Sequence, residues 1–526
     1  MDFDVIVIGG GINGAGIARD AALRGMRVCL LEQDDLCHAT SRWCSRLIHG
    51  GLRYLEFGEL GLVRESLHER ETLLRTAPHL VHPLPLLIPL FAGARRGRLT
   101  VRAGMWLYDL LSAGKSLPRH RMLDAAGARA AMPGLAGDGL RGAARYHDAQ
   151  VVFPERLVLE NLLAAAQAGA DIRLHARVER VLVADGRVGG VVVRDHQGSS
   201  DTVSAPLVVN AAGPWVDQLL ETLDEPPRRH FIGGAKGTHI VVDRLPGLGD
   251  SACYAEAAAD GRPFFIIPWN GMTLVGTTDI AFSGDPATVA SDPAEIDYLL
   301  AEAGRLFPQA DWSRQAVHYS YVGVRPLPAA SGRDQAAITR RHSVRHHRRE
   351  ALGLYSVIGG KLTTYRSLAE EVVDRLARRL GRELARCSTA GSPLPGATHD
   401  PLPLAADLSL RCGLDPAIAT RLVGLYGGRA AGIGELVMHE RGLATPLGNS
   451  GAIAAELVFA FEAEMAGSLA DCLMRRTMLG LAPDRGAGVL EDALAVCAAS
   501  LGWDGARRAA ERAGFLAEVA ALQPPA

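Results

Sequence analysis

Residues Asp4 to Glu32, DVIVIGGGINGAGIARDAALRGMRVCLLE, carry the pattern that most restricts how this chain folds. The apolar run VIVI predicts a buried parallel strand, and Gly9, Gly11 and Gly14 follow it with GxGxxG spacing. These glycines allow a tight turn, close approach of the backbone to a pyrophosphate, and close packing of the next helix. Glu32 ends a second strand, where an acidic side chain can bind a ribose. The pattern predicts a dinucleotide-binding fold rather than a structural turn in another α/β sheet.

Length, charge and cysteine content narrow the class of protein. At 526 residues the chain exceeds the size at which one hydrophobic core keeps growing, so we expect two or three structural units. The formal net charge of -2 indicates no nucleic-acid partner. The cysteines include no CxxC pair, so we predict neither a metal site nor a redox dithiol.

The first residues, MDFDVIVIGGG, contain no basic segment ahead of an apolar one and no small-residue cleavage site. Nowhere does an apolar run reach the roughly 18 residues that a membrane-spanning helix needs. We therefore expect a cytoplasmic protein without a spanning helix, and attachment to a membrane surface stays open.

Changes in sequence pattern suggest three domains. A discontinuous nucleotide-binding domain is predicted at 1–80, 145–220 and 350–385, where helix and strand patterns alternate. A substrate or cap domain is predicted at 81–144 and 221–349, with antiparallel strands such as RPFFIIPW. After prolines 393, 395, 401 and 403 the chain becomes rich in alanine and leucine, which predicts a helical domain at 392–526.

The strand patterns also give finer predictions. We expect one strand from Ile172 to Val183, a turn at Asp185 and Gly186, and a second strand after it. In the stretch VHPLPLLIPL, prolines 83, 85 and 89 exclude a regular helix.

Seven blocks of sequence carry a more specific signal: IVIGGGINGAGIA, SRLIHGGLRYLE, NAAGPWVD, KGTHIVV, VGTTD, GVRPL and GGKLTTYR. In this order they resemble the FAD-dependent glycerol-3-phosphate dehydrogenases, and the helical tail is similar in position and character. The resemblance implies an α/β fold with a Rossmann-like FAD-binding domain of the glycine and D-amino-acid oxidase type. It further implies an antiparallel substrate domain and a C-terminal helical domain.

The same resemblance implies oxidation of sn-glycerol 3-phosphate to dihydroxyacetone phosphate by hydride transfer to flavin N5, with electrons passing to a membrane quinone. Arginine forks and lysine point charges are suited to the phosphate dianion of such a substrate. By resemblance the substrate-binding residues are Arg53, Tyr54, Arg325, Arg340 and Lys361. Lys361 is also one of only three lysines in the chain.

The proton acceptor has several candidates. His49 and His239 are in blocks expected near the flavin, and imidazole has a suitable pKa. Arg325 or Lys361 with a lowered pKa could also serve. His49 could instead pack against the flavin for structure alone, and these alternatives stay open.

Cofactor contacts are expected along both halves of FAD. The predicted residues are Gly9, Gly11, Asn13, Gly14, Glu32, Thr40, Ser41, Ser45, His49, Gly50, Ala211, Gly213, Gly360, Lys361, Leu362 and Thr363. The family usually has small hydroxylated residues and a lysine near position 43, whereas this chain has Arg42, Trp43, Cys44 and Arg46. Contacts in that loop are therefore in question.

The basic and apolar stretch 84–121 is the segment expected to attach the protein to the inner face of the cell membrane, through arginines and through Met105, Trp106 and Leu110. A hairpin packed on the protein's own surface is the alternative.

Two other functions are possible interpretations of the sequence. One is an oxygen-dependent oxidase of the same fold, acting on glycerol 3-phosphate or on an amine such as glycine. The other is a flavin-bearing assembly protein without turnover. A homodimer is also left open.

Overall fold

The computed structural model describes residues 1–329 and 341–525, and the strands of this part form three sheets. In chain order the strands are β1 (Val5–Ile8), β2 (Val28–Leu31), β3 (Leu47–Ile48), β4 (Val81–Phe91), β5 (Arg121–Asp124), β6 (Leu140–Val151), β7 (Asp171–Arg173), β8 (Arg177–Ala184), β9 (Arg187–Arg194), β10 (Ser200–Ser204), β11 (Val208–Asn210), β12 (Ile232–Val242), β13 (Ala252–Glu256), β14 (Pro263–Trp269), β15 (Met272–Gly276), β16 (Ile280–Ala281), β17 (Val317–Pro328), β18 (Ser343–His346) and β19 (Leu354–Ile358).

Helices cover the sheets and form the C-terminal part. In chain order they are α1 (Ile12–Leu23), α2 (Leu60–Thr76), α3 (Arg98–Leu111), α4 (Ala125–Ala131), α5 (Pro154–Gln167), α6 (Val216–Leu220), α7 (Pro293–Leu306), α8 (Tyr365–Leu380), α9 (Pro401–Cys412), α10 (Pro416–Tyr426), α11 (Ala430–His439), α12 (Ala454–Ala463), α13 (Leu469–Asp471), α14 (Leu490–Leu501) and α15 (Gly505–Ala520).

Strand β1 lies inside a six-stranded sheet with the order β18-β19-β11-β1-β2-β7. Its strands are parallel except β18, which pairs antiparallel at one edge. Every residue of β1 and β2 is buried, as expected for parallel strands covered on both faces. Helix α1 follows β1 and packs against α5 and α8. The predicted dinucleotide-binding fold is confirmed.

The predicted strand from Ile172 to Val183 is wrong, because the chain divides it between two sheets. Strand β7 extends the six-stranded sheet, whereas β8 pairs antiparallel with β9 in a separate three-stranded sheet. The turn at Asp185 and Gly186 is confirmed, and both residues have a positive φ.

A ten-stranded sheet forms the second layer, in the order β16-β12-β15-β14-β13-β4-β6-β3, with β17 beside β12 and β5 beside β6. Prolines 83, 85 and 89 of β4 are an even number of residues apart, so the positions that lack an N–H face the same edge of the strand. The opposite edge of β4 pairs with β6. Two boundaries differ from the prediction. Residues 145–151 belong to this sheet, and β18 belongs to the six-stranded one.

The stretch 84–121 is not one surface segment. Residues 84–91 are part of β4, and Met105 of α3 is 1% exposed, so neither reaches a membrane surface as predicted. The opposite face of α3 does carry exposed apolar side chains, among them Trp106 and Leu110. Among the described residues, no helix is long and apolar enough to cross a bilayer.

Buried ion pairs join the C-terminal helices to the sheet layers. Arg156 of α5 donates to both carboxylate oxygens of Glu464 at 2.6 and 2.8 Å. Arg475 and Arg476 both bind Asp35, which follows β2. All five side chains are buried, so each charge is compensated away from water.

Asp35, His175 and Asp471 place possible metal-ligand atoms within 4.8 Å of one another. Arg476 donates to both oxygens of Asp35, and Arg475 donates to Asp471 Oδ1 at 2.8 Å. The two carboxylates therefore serve to neutralise buried guanidinium groups.

We predict that Glu464→Gln weakens the attachment of the C-terminal helices. The change leaves the buried Arg156 without its carboxylate, and breaking a buried pair costs about 3–5 kcal/mol. Urea unfolding followed by tryptophan fluorescence should show a loss of this size in the free energy of unfolding. Glu491→Gln, which removes the exposed partner of Arg512, is the control and should have no effect. Equal stability of both variants would contradict the anchoring role.

Candidate active site

Two adjoining cavities lie where the six-stranded sheet meets the ten-stranded one. The glycine-loop cavity has a volume of about 640 Å³ and is lined by residues that include Gly9, Gly11 and Glu32. The cation cavity has a volume of about 280 Å³ and is lined by residues that include Arg53, Arg325 and Lys361. Thr40, Cys44, Pro326 and residues 359–362 line both.

Glycines shape the floor of the glycine-loop cavity. Gly9 has a φ of +110°, and a Cβ there would lie 2.6 Å from the carbonyl oxygen of Ala211. A Cβ at Gly14 would lie 1.9 Å from the carbonyl oxygen of Gly9, so only glycine lets α1 start so close to β1. Glu32 accepts from the N–H of Gly10 at 2.5 Å and holds the loop. Burial raises the pKa of Glu32 to about 7.

Three predicted hydroxyl contacts have partners within the protein. Ser41 Oγ accepts from the N–H of Ile12 at 3.0 Å, which orders the start of α1. Thr40 donates to the carbonyl oxygen of Val324 at 2.6 Å and holds the loop on β17. Ser45 lines the cation cavity rather than the glycine-loop cavity, with its Oγ 2.9 Å from Nε2 of His239.

The other predicted cofactor residues line one or both cavities, except Gly14 and Gly50. Those lining the glycine-loop cavity are Asn13, Ala211, Gly213, Gly360, Lys361 and Leu362. His49 and Thr363 line the cation cavity. Gly50 is in neither lining, because its N–H donates to the Tyr108 hydroxyl at 2.9 Å and its α-carbon packs against that side chain.

The glycine-loop cavity fits a flavin dinucleotide. Backbone of Gly9 and Gly11 lines it directly, and the start of α1 favours an anionic phosphate. A Cβ at Gly14 would press on the carbonyl oxygen of Gly9 and so disturb that lining. Asn13 adds a buried Oδ1 that has no hydrogen-bond partner among the described residues. The adjoining cation cavity would then receive the reactive end of the cofactor, through the lining that the two cavities share.

The cation cavity brings together residues far apart in sequence. Arg325 donates to Asp279 at 3.0 Å and to the hydroxyl of Thr277 at 2.9 Å. A Cβ at Gly237 would lie 2.1 Å from the Arg325 guanidinium, so this glycine provides the space for it. Lys361 donates to Ser66 Oγ at 2.9 Å.

Arg53 and Tyr54 complete the predicted substrate set. Both line the cation cavity, and the ammonium group of Lys361 lies 4.6 Å from the centre of the Tyr54 ring. Arg340 lies outside the described residues.

The sequence prediction missed Arg262 and three aromatic residues, Tyr146, Tyr254 and Phe265, which also line the cation cavity. Arg262 donates to the carbonyl oxygen of Asp279, beside Arg325. In the sequence, Arg262 is a single arginine at the start of RPFFIIPW, a stretch whose pattern predicts a strand and indicates no binding role. The pairing of Phe265 with Gly276 brings that strand to VGTTD through a hairpin turn at Asn270 and Gly271, both with a positive φ. An Asn-Gly pair between two strand patterns is the local signal that predicts such a hairpin.

Both candidate histidines line the cation cavity. The pKa of His49 is lowered to about 3 by burial and by Lys361 and Arg70. The pKa of His239 is lowered well below 6.5 by burial and by Arg325 and Arg46. Each imidazole is therefore neutral near pH 7 and able to accept a proton.

The two imidazoles are held differently. The His49 ring meets Phe265 edge-on at 6.1 Å. The His239 ring is 2% exposed and stacks on Tyr321 at 4.9 Å, and its Nδ1 has no partner among the described residues. A Cβ at Gly276 would lie 2.3 Å from the His239 ring, so this glycine makes room for it.

Two family models match the chain. "FAD dependent oxidoreductase" matches residues 4–375, and "C-terminal domain of alpha-glycerophosphate oxidase" matches residues 387–508. The first match covers the chain from β1 into α8, and the second covers α9 to α14.

Curated proteins and a solved structure are similar over nearly the whole chain. The glycerol-3-phosphate dehydrogenase of Synechocystis sp. is 45% identical, over 91% of this chain and 89% of that protein. Glycerol-3-phosphate dehydrogenase 2 of Mycobacterium tuberculosis is 36% identical, over 99% and 88%. The structure of the Bacillus halodurans glycerol-3-phosphate dehydrogenase complexed with FAD superposes with a TM-score of 0.79 at 28% identity, covering 100% of this chain and 96% of that one.

We predict that Gly14→Ala weakens FAD binding. The added methyl group would meet the carbonyl oxygen of Gly9, and overpacking of this kind costs about 1–3 kcal/mol, or about tenfold to hundredfold in affinity. Gly424→Ala is the matched control, because a Cβ at that helical glycine meets nothing within 4 Å. The ratio of flavin to protein absorbance after dialysis measures the effect. Full FAD content in Gly14→Ala would contradict the proposed cradle.

Proposed function

This chain belongs to the FAD-dependent glycerol-3-phosphate dehydrogenase family, and on that premise we propose that it oxidises sn-glycerol 3-phosphate to dihydroxyacetone phosphate. The observation that carries the proposal is the convergence of Arg53, Arg325 and Lys361 on one cavity beside the glycine-loop cavity. Separate parts of the chain supply these cations.

The phosphate group of the substrate is bound by the cations. A dianion taken out of water requires charge-assisted hydrogen bonds, and guanidinium and ammonium groups donate them. Arg325 is held in place by Asp279 and Thr277, and we add Arg262, which is joined to the same segment. Arg53, in the short helical turn after β3, and Lys361, just before α8, line the same cavity.

His239 is the residue that we propose as the base for the C2 hydroxyl proton. Its imidazole is neutral, because burial and the nearby Arg325 and Arg46 lower its pKa. The Ser45 hydroxyl and the Tyr321 ring hold it in one orientation. His49 is also neutral, and its ring meets Phe265 edge-on rather than stacking on it. We assign His49 to packing beside the cofactor.

When bound, FAD supplies the acceptor for the hydride from C2. Residues of this chain do the remaining work: the cations fix the phosphate, His239 Nδ1 or Nε2 takes the proton, and Tyr54 closes the cavity beside Lys361. Orienting the substrate in this way is worth several kcal/mol in rate.

We propose a membrane quinone as the final electron acceptor and attachment to the inner face of the cell membrane. The exposed face of α3 supports attachment. Leu99, Trp106 and Leu110 are 80%, 62% and 70% exposed and lie on one side of the helix, with Arg98 and Arg102 also exposed. A basic helix with exposed apolar residues suits the boundary of an anionic bilayer.

An oxygen-dependent oxidase is the alternative that a specific observation favours, since residues 387–508 match a domain described from alpha-glycerophosphate oxidase. Release of hydrogen peroxide during turnover in air would identify it. An amine oxidase of this fold would not need the convergent cations. Comparing the oxidation of glycerol 3-phosphate with that of an amine therefore distinguishes the two activities.

We predict that Arg325→Ala and Lys361→Ala retain flavin but need about tenfold to hundredfold more glycerol 3-phosphate for half-maximal reduction. Each loses a charge-assisted hydrogen bond to phosphate, worth about 1.5–3 kcal/mol. Anaerobic titration followed by the visible flavin absorbance measures this. Arg314→Ala, which removes an exposed ion pair with Asp297, is the control.

The phosphate assignment is wrong if both variants are reduced as readily as the parent. If glycine bleaches the parent flavin and glycerol 3-phosphate does not, the amine oxidase alternative holds instead.

We predict that the double substitution Trp106→Gln and Leu110→Gln lowers binding to phosphatidylglycerol vesicles by at least about tenfold. Each substitution removes apolar surface whose burial contributes roughly 1.5–3 kcal/mol. Leu402→Gln with Leu410→Gln is the matched control, since these α9 leucines are 73% and 85% exposed. Vesicle sedimentation measures binding. Equal loss in both double variants would contradict a specific role for α3.

A further inference from the structure

The imidazole of His239 is one end of a stack of four side chains whose other end is ion-paired to a C-terminal helix. His239 and Tyr321 are opposite each other in the pairing of β12 with β17, and their rings are 4.9 Å apart with planes inclined by 23°. The Trp43 ring also stacks on Tyr321, at 4.8 Å and inclined by 27°. The Arg42 guanidinium covers Trp43 at 3.8 Å. We call Arg42, Trp43, Tyr321 and His239 the stacked column.

The backbone is adapted to this column. A Cβ at Gly323 would lie 2.3 Å from the carbonyl oxygen of Trp43, so this glycine lets the loop lie on β17. The Tyr321 hydroxyl donates to the carbonyl oxygen of Cys44 at 2.8 Å and so attaches the loop that carries Trp43 to β17. The residues that depart from the usual family pattern in this loop are therefore packed side chains.

The C-terminal helices hold the far end of the column. Arg42, 2% exposed, donates to Glu518 of α15 at 2.9 Å. Glu518 also binds Arg475, which in turn binds Asp35. The N–H of Ser320 in β17 donates to the carbonyl oxygen of Leu522 at 2.9 Å. The end of the chain is thus attached both to the column and to the strand that supplies Tyr321.

The near end of the column is in the cation cavity. Trp43 and His239 both line that cavity, and the His239 Nε2 atom meets Ser45 Oγ at 2.9 Å. An imidazole stacked on one face and hydrogen-bonded at one edge cannot rotate without breaking both contacts. Orientation of a base controls the rate of proton removal more than it controls substrate affinity.

We propose that Arg42, Trp43 and Tyr321 are positioning residues for His239, and that Glu518 is the contact through which the C-terminal domain orients the active-site imidazole. This inference rests on the proposed function in so far as it takes His239 as the base. It gives the C-terminal helices a role in the reaction, although none of their residues lines the cation cavity.

The test compares Trp43→Leu, Trp43→Phe and Glu518→Gln in the full-length enzyme with FAD. One readout is the ¹³Cε1 resonance of His239, assigned through its loss in His239→Gln, in protein labelled at histidine. The other is anaerobic flavin reduction by glycerol 3-phosphate in a stopped-flow instrument. Flavin content checks that each variant retains its fold.

In Trp43→Leu and Glu518→Gln we expect the His239 resonance to move and the limiting rate of flavin reduction to fall about tenfold to hundredfold. The substrate concentration for half-maximal rate should change less than about threefold, since the phosphate cations are untouched. Trp43→Phe keeps a stacked ring and should restore most of the rate and the resonance.

Trp503→Leu is the matched control. Trp503 also lies beneath an arginine, with Arg507 at 5.4 Å from its ring, but it is not in the lining of the cation cavity. It should leave the His239 resonance and the rate unchanged.

The positioning role is overturned if Trp43→Leu and Glu518→Gln leave the His239 resonance where it is in the parent, or if Trp503→Leu moves it equally. Failure of the proposed function has a different signature. In that case glycerol 3-phosphate would not reduce even the parent flavin, while the resonance would still respond to the column variants.

Discussion

The antiparallel pairing of β12 with β17 is the interaction on which the site depends. It sets His239 opposite Tyr321 and Ala235 opposite Arg325, so the proposed base and a phosphate-binding cation share one surface. A slip of one residue would send each of these side chains to the other face of the sheet. Gly237 and Gly276 then provide the space that the guanidinium and the imidazole occupy. Sheet register and glycine positions together define the cation cavity.

Local sequence was sufficient to predict the fold of the cofactor-binding half of the molecule. A buried strand, spaced glycines and a terminal Glu32 are close together in the chain, and the packing of Gly14 on Gly9 and the hydrogen bond from Gly10 to Glu32 are within the same segment. The same holds for the helical tail, where composition alone indicates the structure. The predicted fold class is confirmed by the sheet order and by the family matches. Arg53, Arg325 and Lys361 were found through motif resemblance, because no local rule brings them together.

Long-range packing accounts for what the sequence did not reveal. Arg262 enters the cavity because β14 pairs with β15, and Met105 is buried because α3 lies on the large sheet. The segment 172–183 divides because its two halves find partners in different sheets. Arg42 and Trp43 depart from the family pattern, and their contacts with Glu518 of α15 and with Tyr321 of β17 explain them. Except in the β14–β15 and β8–β9 hairpins, the partner in each case is remote in sequence.

We infer that one cavity binds the phosphate through convergent cations and presents a neutral imidazole to the reacting carbon. A crystal structure of the enzyme with FAD and dihydroxyacetone phosphate is the decisive measurement. We expect phosphate oxygens at about 2.7–2.9 Å from the Arg325 and Lys361 donors, with the carbonyl oxygen beside His239. A phosphate bound outside the cation cavity, or a carbonyl oxygen turned away from His239, would contradict it.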